Sequence, residues 1–276
     1  MPQLPPMPRP QLRGFERIAV PVMEAINAST PIRRALHRTN GKLNAAWIDY
    51  ALANLVQPHG LEAVQHMTAP QGIILVSNHR SFFDMYVIST LICRRTDLMH
   101  EVMYPVRSPF FYDHPLGLAV NLAVAGASMW PPVFRDDRRR VLNPIGFDQM
   151  AASLGSGVVM GIHPEGTRCQ DPDPYTYLPT KPGLGQLLQV CQDEVRVLPC
   201  FITGMSSSVQ REVSRNFHKK GQRGEPIRVW FGQPIRAADA TAGLTDPAAI
   251  TERVFAEVRA LGELDRADRQ HNPTML

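Results

Sequence analysis

Gly72-Ile73-Ile74-Leu75-Val76-Ser77-Asn78-His79-Arg80-Ser81-Phe82-Phe83-Asp84 passes from an unbroken apolar run into a polar turn and on into a segment that can form a helix. The run Ile73 to Val76 is short and β-branched, which favours a buried strand over one turn of helix. His79 then falls just past a strand end. Residues five apart on an ideal helix are separated by about 140°, so His79 and Asp84 meet only if the histidine sits in the turn and the aspartate on the helix that follows. Ser81 is the expected N-cap of that helix. A histidine held by an aspartate is a candidate general base for a hydroxyl, because the carboxylate fixes the tautomer and stabilises the imidazolium. On these residues alone a purely structural His and Asp remains the commoner outcome of such a spacing.

Working outward, the strand-turn-helix pattern repeats. Strands are expected at Gly72–Ser77, Val102–Val106, Val158–Ile162, Val195–Ile202 and Ile227–Phe231, and helices at Phe83–Ile92, Leu116–Ala125, Pro144–Leu154 and Leu184–Cys191. Pro247–Leu261 reads as a closing helix with Asp246 as N-cap and Pro247 at its first position. This alternation implies an α/β fold, a mainly parallel sheet flanked by helices with functional residues at strand ends.

The N-terminal part differs in composition. Residues 1–48 carry seven Arg or Lys (Arg9, Arg13, Arg17, Arg33, Arg34, Arg38, Lys42) against Glu16 and Glu24, a net of +5, while the whole chain is +4. A basic segment on a near-neutral body suggests an anionic surface, either phospholipid or nucleic acid. Phe15, Ile18, Ala19, Val22, Met23 and Ile26 form one helical stripe, interrupted by Pro21, which should kink it. Leu43, Trp47, Tyr50, Ala51 and Leu55 form a second. Two amphipathic helices joined by a basic bend suit a membrane surface, and equally suit ordinary packing on a domain. The expected organisation is a flexible Pro-rich start at 1–12, the N-terminal amphipathic two-helix segment at 13–58, and an α/β domain at 59–276. The first residues lack the apolar core of a signal peptide, and no stretch is a good bilayer span. Cys93, Cys169, Cys191 and Cys200 show no paired spacing, so free thiols in a reducing compartment and a cytoplasmic location are expected.

A second polar cluster follows a second apolar run. Val158-Val159-Met160-Gly161-Ile162 leads into His163-Pro164-Glu165-Gly166-Thr167-Arg168, offering a carboxylate, a close backbone approach and a guanidinium. Arg135, after Phe134, brings another arginine. Arg138, Arg139 and Arg140 read mainly as a solvated face.

Asn78-His79-x-x-x-x-Asp84 followed by Pro164-Glu165-Gly166-Thr167-Arg168 resembles the glycerolipid acyltransferase family that includes the lysophosphatidic acid acyltransferases. Val197-Leu198-Pro199 and Phe231-Gly232-Gln233-Pro234-Ile235 resemble further family motifs, and the resemblance spans about Gly72 to Ile235. The N-terminal pair is similar to the membrane-resting helices of some members. The resemblance implies an O-acyltransferase that moves a fatty acyl group from an acyl thioester to a lysophospholipid or glycerol phosphate, above all 1-acylglycerol-3-phosphate. It assigns His79 as base and Asp84 as its orienting partner. Glu165, Gly166 and Thr167 would hold the acceptor, and Arg135 and Arg168 its phosphate. Backbone amides at the helix start after His79 would stabilise the oxyanion. Implied partners are an acyl-CoA or acyl-ACP cosubstrate and an anionic phospholipid surface at the cytoplasmic face. No permanently bound cofactor, metal or nucleic acid is expected. His163 stands where the family has Phe and is expected to pack rather than to bond an acceptor.

Other chemistries fit less well. A zinc deaminase would use His163-Pro164-Glu165 and Pro199-Cys200, but Thr203 occupies the second cysteine's position. Neither Gly126-Ala127-Ser128 nor Gly204-Met205-Ser206 completes a serine hydrolase elbow. A non-catalytic lipid-binding or scaffold protein of the same fold is the remaining alternative.

Overall fold

The computed structural model describes residues 6–98 and 101–271. Its strands are β1 (Val56–His59), β2 (Ile73–Ser77), β3 (Val102–Met103), β4 (Val106–Arg107), β5 (Pro132–Val133), β6 (Val159–Ile162), β7 (Arg196–Thr203), β8 (Ile227–Phe231) and β9 (Ile235–Arg236). The helices are α1 (Glu16–Ala28), α2 (Thr30–Leu52), α3 (Asp84–Arg95), α4 (Ser108–Phe111), α5 (Pro115–Ala123), α6 (Asn143–Leu154), α7 (Gly183–Val190), α8 (Val209–Asn216), α9 (Ala237–Thr241) and α10 (Pro247–His271).

The main sheet runs β1-β8-β7-β2-β6-β3, with β9 added to β7. It is parallel except where β7 meets β8 and β9. Every residue of β2 is buried. Ile73 and Leu75 face a core built with α3 and the end of α2, while Ile74 and Val76 face the core under α1, α6, α7 and α10. This two-sided burial explains why the run is apolar without alternation. Register then fixes the site. Val76 lies opposite Ile162 on β6, and Ser77 opposite Cys200 on β7, so the chain leaving β2 emerges beside His163 and beside the end of β7.

Several expectations need correction. The Val102–Val106 strand is two: β3 joins the main sheet, whereas β4 pairs with β5 in a separate ribbon. β1 pairs along its length with β8, so the α/β body begins at Val56 rather than at residue 59. The start is not free chain over its described part, because Met7 and Leu12 are apolar enough to be buried among the prolines. Residues 1–5 lie outside the described residues. Pro21 falls inside α1 without ending it. α2 begins at Thr30, so the basic stretch is part of the helix and not a bend. Arg33 and Arg34 both donate to Glu101 at 2.9 Å and fasten α2 to the body. Arg139 is not simply solvated, since it pairs with the buried Glu16 and with Asp136. The closing helix does carry the expected cap: Asp246 accepts from the amides of Ala248 and Ala249.

α2 is inverted relative to an ordinary surface helix. Its buried residues are Arg33, His37, Ala45, Ala51 and Leu52. Leu43, Trp47 and Tyr50 are instead 64%, 53% and 68% exposed. They lie within about 60° of one another around the helix, and Ile32, also exposed, shares their face.

Candidate active site

The turn after β2 brings His79 and Asp84 together, with Nδ1 of the histidine 3.3 Å from Oδ2 of the aspartate. That same oxygen accepts from the amides of Arg80 and Ser81, both at 2.6 Å. Asp84 is fully buried at the first position of α3. It ties down the turn ahead of the helix, whose N-cap position is Phe83 and not the expected Ser81. The hydroxyl of Ser81 accepts from Phe83 N and donates to Ser206 O, tying the turn to the chain beyond β7. With Nδ1 directed at Asp84, Nε2 is the nitrogen left for a substrate.

Electrostatics favour a neutral base. Burial, then the nearby Arg168 charge, lowers His79 to about 4, and burial raises Asp84 to about 6. At neutral pH the pair is therefore a neutral imidazole beside a carboxylate, which is the state a general base requires.

His163 packs, as its position suggested. Its ring stacks on that of His79 with centroids 4.0 Å apart and planes within 7°. Its Nδ1 lies 3.1 Å from Ser77 Oγ and 3.2 Å from Ser77 O. Burial and the neighbouring His79 lower it to about 3.

Asn78 explains itself only in the structure. Its side chain donates to Ile202 O at 2.8 Å and accepts from Ile202 N at 2.9 Å, extending the β2–β7 ladder past the strand end. Adjacency to His79 was the available signal; the partner 124 residues away was not legible.

Glu165 is buried, and both of its oxygens are occupied. Oε1 accepts from His79 N at 2.8 Å and Oε2 from Leu178 N at 2.7 Å. The carboxylate expected to hold the acceptor holds the backbone of the turn that carries His79. The amides of Arg80 and Ser81, in the turn ahead of α3, are likewise bonded to Asp84.

Gly166 has φ +68°, and a Cβ there would lie 2.7 Å from Arg135 Nη2. The left-handed backbone favours glycine here, and Arg135 donates to its carbonyl. Asn143 clips both backbone groups of Phe134 just before Arg135. Arg107, on β4, is close enough to lower the Arg135 guanidinium, after burial, and the side chain of Lys181 passes Gly166 as well. Arg168 has a different partner, with Nη1 3.2 Å from Ser207 Oγ. The two arginines expected to share one phosphate are therefore anchored in different loops. Thr167 is exposed between them. Arg107 and Lys181 were missed, since neither stands at a fixed spacing from the motifs.

Among the described residues no group of three His, Cys, Asp or Glu is arranged to hold a metal ion. Nor is any described helix long and apolar enough to cross a membrane.

The family model described as Acyltransferase matches residues 56–203, from the start of β1 to the end of β7. None of the curated proteins matches the chain. Among solved structures the chain is similar to the crystal structure of the 1-acyl-sn-glycerophosphate (LPA) acyltransferase PlsC from Thermotoga maritima. That likeness has 19% identity and a TM-score of 0.49, and covers 93% of this chain and 85% of that one.

Proposed function

The chain belongs to the acyltransferase family, and from that premise we propose that it moves a fatty acyl group from an acyl thioester to the hydroxyl of a lysophospholipid or glycerol phosphate, 1-acylglycerol-3-phosphate above all. The donor carrier is coenzyme A or acyl carrier protein.

The observation that carries this reading is the His79–Asp84 contact at the end of a parallel strand, with Nε2 directed away from the carboxylate. His79 Nε2 takes the proton of the acceptor hydroxyl as its oxygen attacks the thioester carbonyl. Asp84 stabilises the imidazolium that forms. Collapse of the tetrahedral intermediate breaks the carbon–sulfur bond, and the leaving thiolate takes the proton back from His79. The acceptor hydroxyl is itself the nucleophile, so no acyl-enzyme is needed. Arg135, Arg107 and Lys181 near Gly166, with Arg168 close enough to act on His79, supply positive charge suited to the acceptor's phosphate.

The enzyme works as a peripheral protein on anionic phospholipid at the cytoplasmic face, where thioester donors are. The exposed apolar face of α2 supports this, as does a groove of about 680 Å³ between α2 and α3 that Arg38, Lys42 and Arg94 line.

The test is acyl transfer from a defined thioester to a panel of lysophospholipids and glycerol phosphate. Wild type is expected to acylate a phosphate-bearing acceptor, and His79→Ala to lose at least about 10²-fold. If both proteins bind vesicles and neither transfers an acyl group, the chain is a lipid-binding scaffold instead.

A further inference from the structure

Residues 170–181 form an irregular loop after Arg168, yet they are fastened on two sides. Toward the catalytic turn, the Arg80 guanidinium donates to Thr176 O at 3.4 Å and to Asp171 O. Leu178 N donates to Glu165 at 2.7 Å, and Lys181 N to Pro164 O at 2.8 Å. Just ahead of the loop, Cys169 N donates to His79 O at 2.8 Å.

The far side is fastened to α10. The Tyr175 hydroxyl donates to Asp265 Oδ2 at 2.8 Å, its ring stacks on Phe201 at 5.9 Å, and Arg266 lies 4.4 Å from its centroid. Asp265 is fully buried. It is ion-paired to Arg228 at 2.8 Å and Arg269 at 3.0 Å, and accepts from Trp230 Nε1 at 2.8 Å. The anchor is therefore rigid, fixed to β8 and α10 at once.

We propose that this loop braces the catalytic turn, and that Tyr175, anchored on Asp265, is a positioning residue acting on His79 through Leu178 and Glu165. The chain of contacts is continuous. Asp265 holds Tyr175; three residues on, Leu178 N holds one oxygen of Glu165; the other oxygen holds the amide of His79. Arg80, next to His79, grips the same loop from the opposite side. A base displaced by an ångström from its proton loses much of its rate advantage, so slack in the loop is felt at His79.

Tyr177 provides an internal contrast. Its ring packs edge-on against Phe201 and Phe255, and its buried hydroxyl has no partner. It fits because Gly262 has no Cβ, which would lie 2.1 Å from that hydroxyl. Tyr177 fills space, whereas Tyr175 fastens the loop.

The kinetic arm of the test rests on the acyl-transfer reading above; the exchange arm does not. In the full chain, Tyr175→Phe is expected to lower kcat about three- to tenfold, with KM for donor and acceptor within about twofold. Amide hydrogen exchange at His79, Cys169 and Leu178 is expected to quicken, while Tyr177→Phe changes neither kcat nor exchange. Combined with Arg80→Lys, the losses should fall short of their product, since both variants act through one loop. The brace is overturned by unchanged exchange in Tyr175→Phe, by a loss confined to KM, by full kcat despite a lowered Tm, by equal effects of Tyr177→Phe, or by losses that multiply. Faster exchange in a protein that acylates no acceptor upholds the brace and overturns the acyl-transfer reading.

Discussion

The ring of His163 lies flat on the ring of His79, 4.0 Å between centroids and 7° between planes. The contact joins the ends of two adjacent parallel strands, and both rings rest in the neutral state. Burial keeps them so: His79 is lowered to about 4 and His163 to about 3. A flat apolar ring at position 163 would support His79 equally well.

His163→Phe is accordingly expected to retain acyl transfer within about threefold at pH 7.5. Its stability should depend less on acid. Above the unfolded value of 6.5 the histidine is neutral in both states and contributes no slope. As pH falls below 6.5 the unfolded chain takes a proton that folded His163 refuses down to about 3, so wild type loses stability across that window. Removing the group should recover about 1–2 kcal/mol at pH 5 relative to pH 7.5, against a loss of about 1 kcal/mol from the Ser77 contact. Thermal melts of the two proteins at both pH values check this; parallel curves would refute it.

The rate profile should show the same depressed base. With His79 lowered to about 4 and Asp84 raised to about 6, the pair titrates jointly, and kcat should hold level down to about pH 6.5 and fall between 6 and 4. Arg168 is one cause of the low histidine value. Arg168→Gln removes a positive charge, eases protonation of His79 and moves the acid limb to higher pH. Measurement at saturating acceptor separates this from titration of the acceptor's own phosphate; a limb that stays put in the variant counts against the electrostatic account.

Asp84→Asn separates charge from shape. The amide oxygen can keep the bonds from Arg80 N and Ser81 N, and its nitrogen takes the place of Oδ1, which has no partner in the buried site. Folding therefore loses little, and relief of a buried carboxylate can raise Tm. The charge that stabilises the imidazolium is gone. Some 4 kcal/mol of Coulomb energy at this range in an intermediate dielectric puts the expected fall in kcat at about 10²- to 10³-fold. Kinetics set beside thermal melts decide it, and retained kcat would remove Asp84 from the reaction.

The His79 turn, the main strands and the helices α3, α6, α7 and α10 were legible because apolar runs and periodicity report burial directly. Asp84 was legible through its spacing, since only a turn followed by a helix brings residues five apart together. Glu165 was legible as a residue through its motif, while its partners, the amides of His79 and Leu178, are set by sheet register and a loop path. Asn78 and Ile202, or Tyr175 and Asp265, meet only after folding. No local pattern encodes such pairs. β1, with Pro58 and no fully buried residue, lacked a strand signature and formed because β8 offered it an edge.

Glu165→Gln separates a backbone-holding role from an acceptor-binding one. Both carboxylate oxygens accept from backbone amides, at 2.8 Å from His79 and 2.7 Å from Leu178. A glutamine sets an NH₂ against one of those donors and forfeits a buried bond. Stability should drop by about 1–3 kcal/mol, and kcat should fall with acceptor KM unchanged within about twofold. Were Glu165 a ligand of the acceptor, KM would rise while Tm and kcat held.

The exposed face of α2 yields the remaining prediction. Leu43, Trp47 and Tyr50 point away from the body, and Tyr50 meets Phe217 of α8's far end at 5.8 Å, widening the apolar surface. Lys42 lies to one side of this face and Arg38 further around the helix, and both line the groove shared with α3. The protein is expected to bind vesicles of mixed neutral and anionic phospholipid, more weakly as salt rises. Each apolar side chain that enters the interface contributes on the order of 1 kcal/mol, so Leu43→Ser with Trp47→Ser should weaken binding about ten- to thirtyfold. Arg38→Gln and Lys42→Gln should each weaken it about fivefold and only on anionic vesicles, at about 1 kcal/mol per basic residue. Because these side chains are exposed, Tm should stay within about 2 °C of wild type. Vesicle sedimentation alongside melts makes the comparison, and binding that ignores all four substitutions would assign this face to something other than lipid.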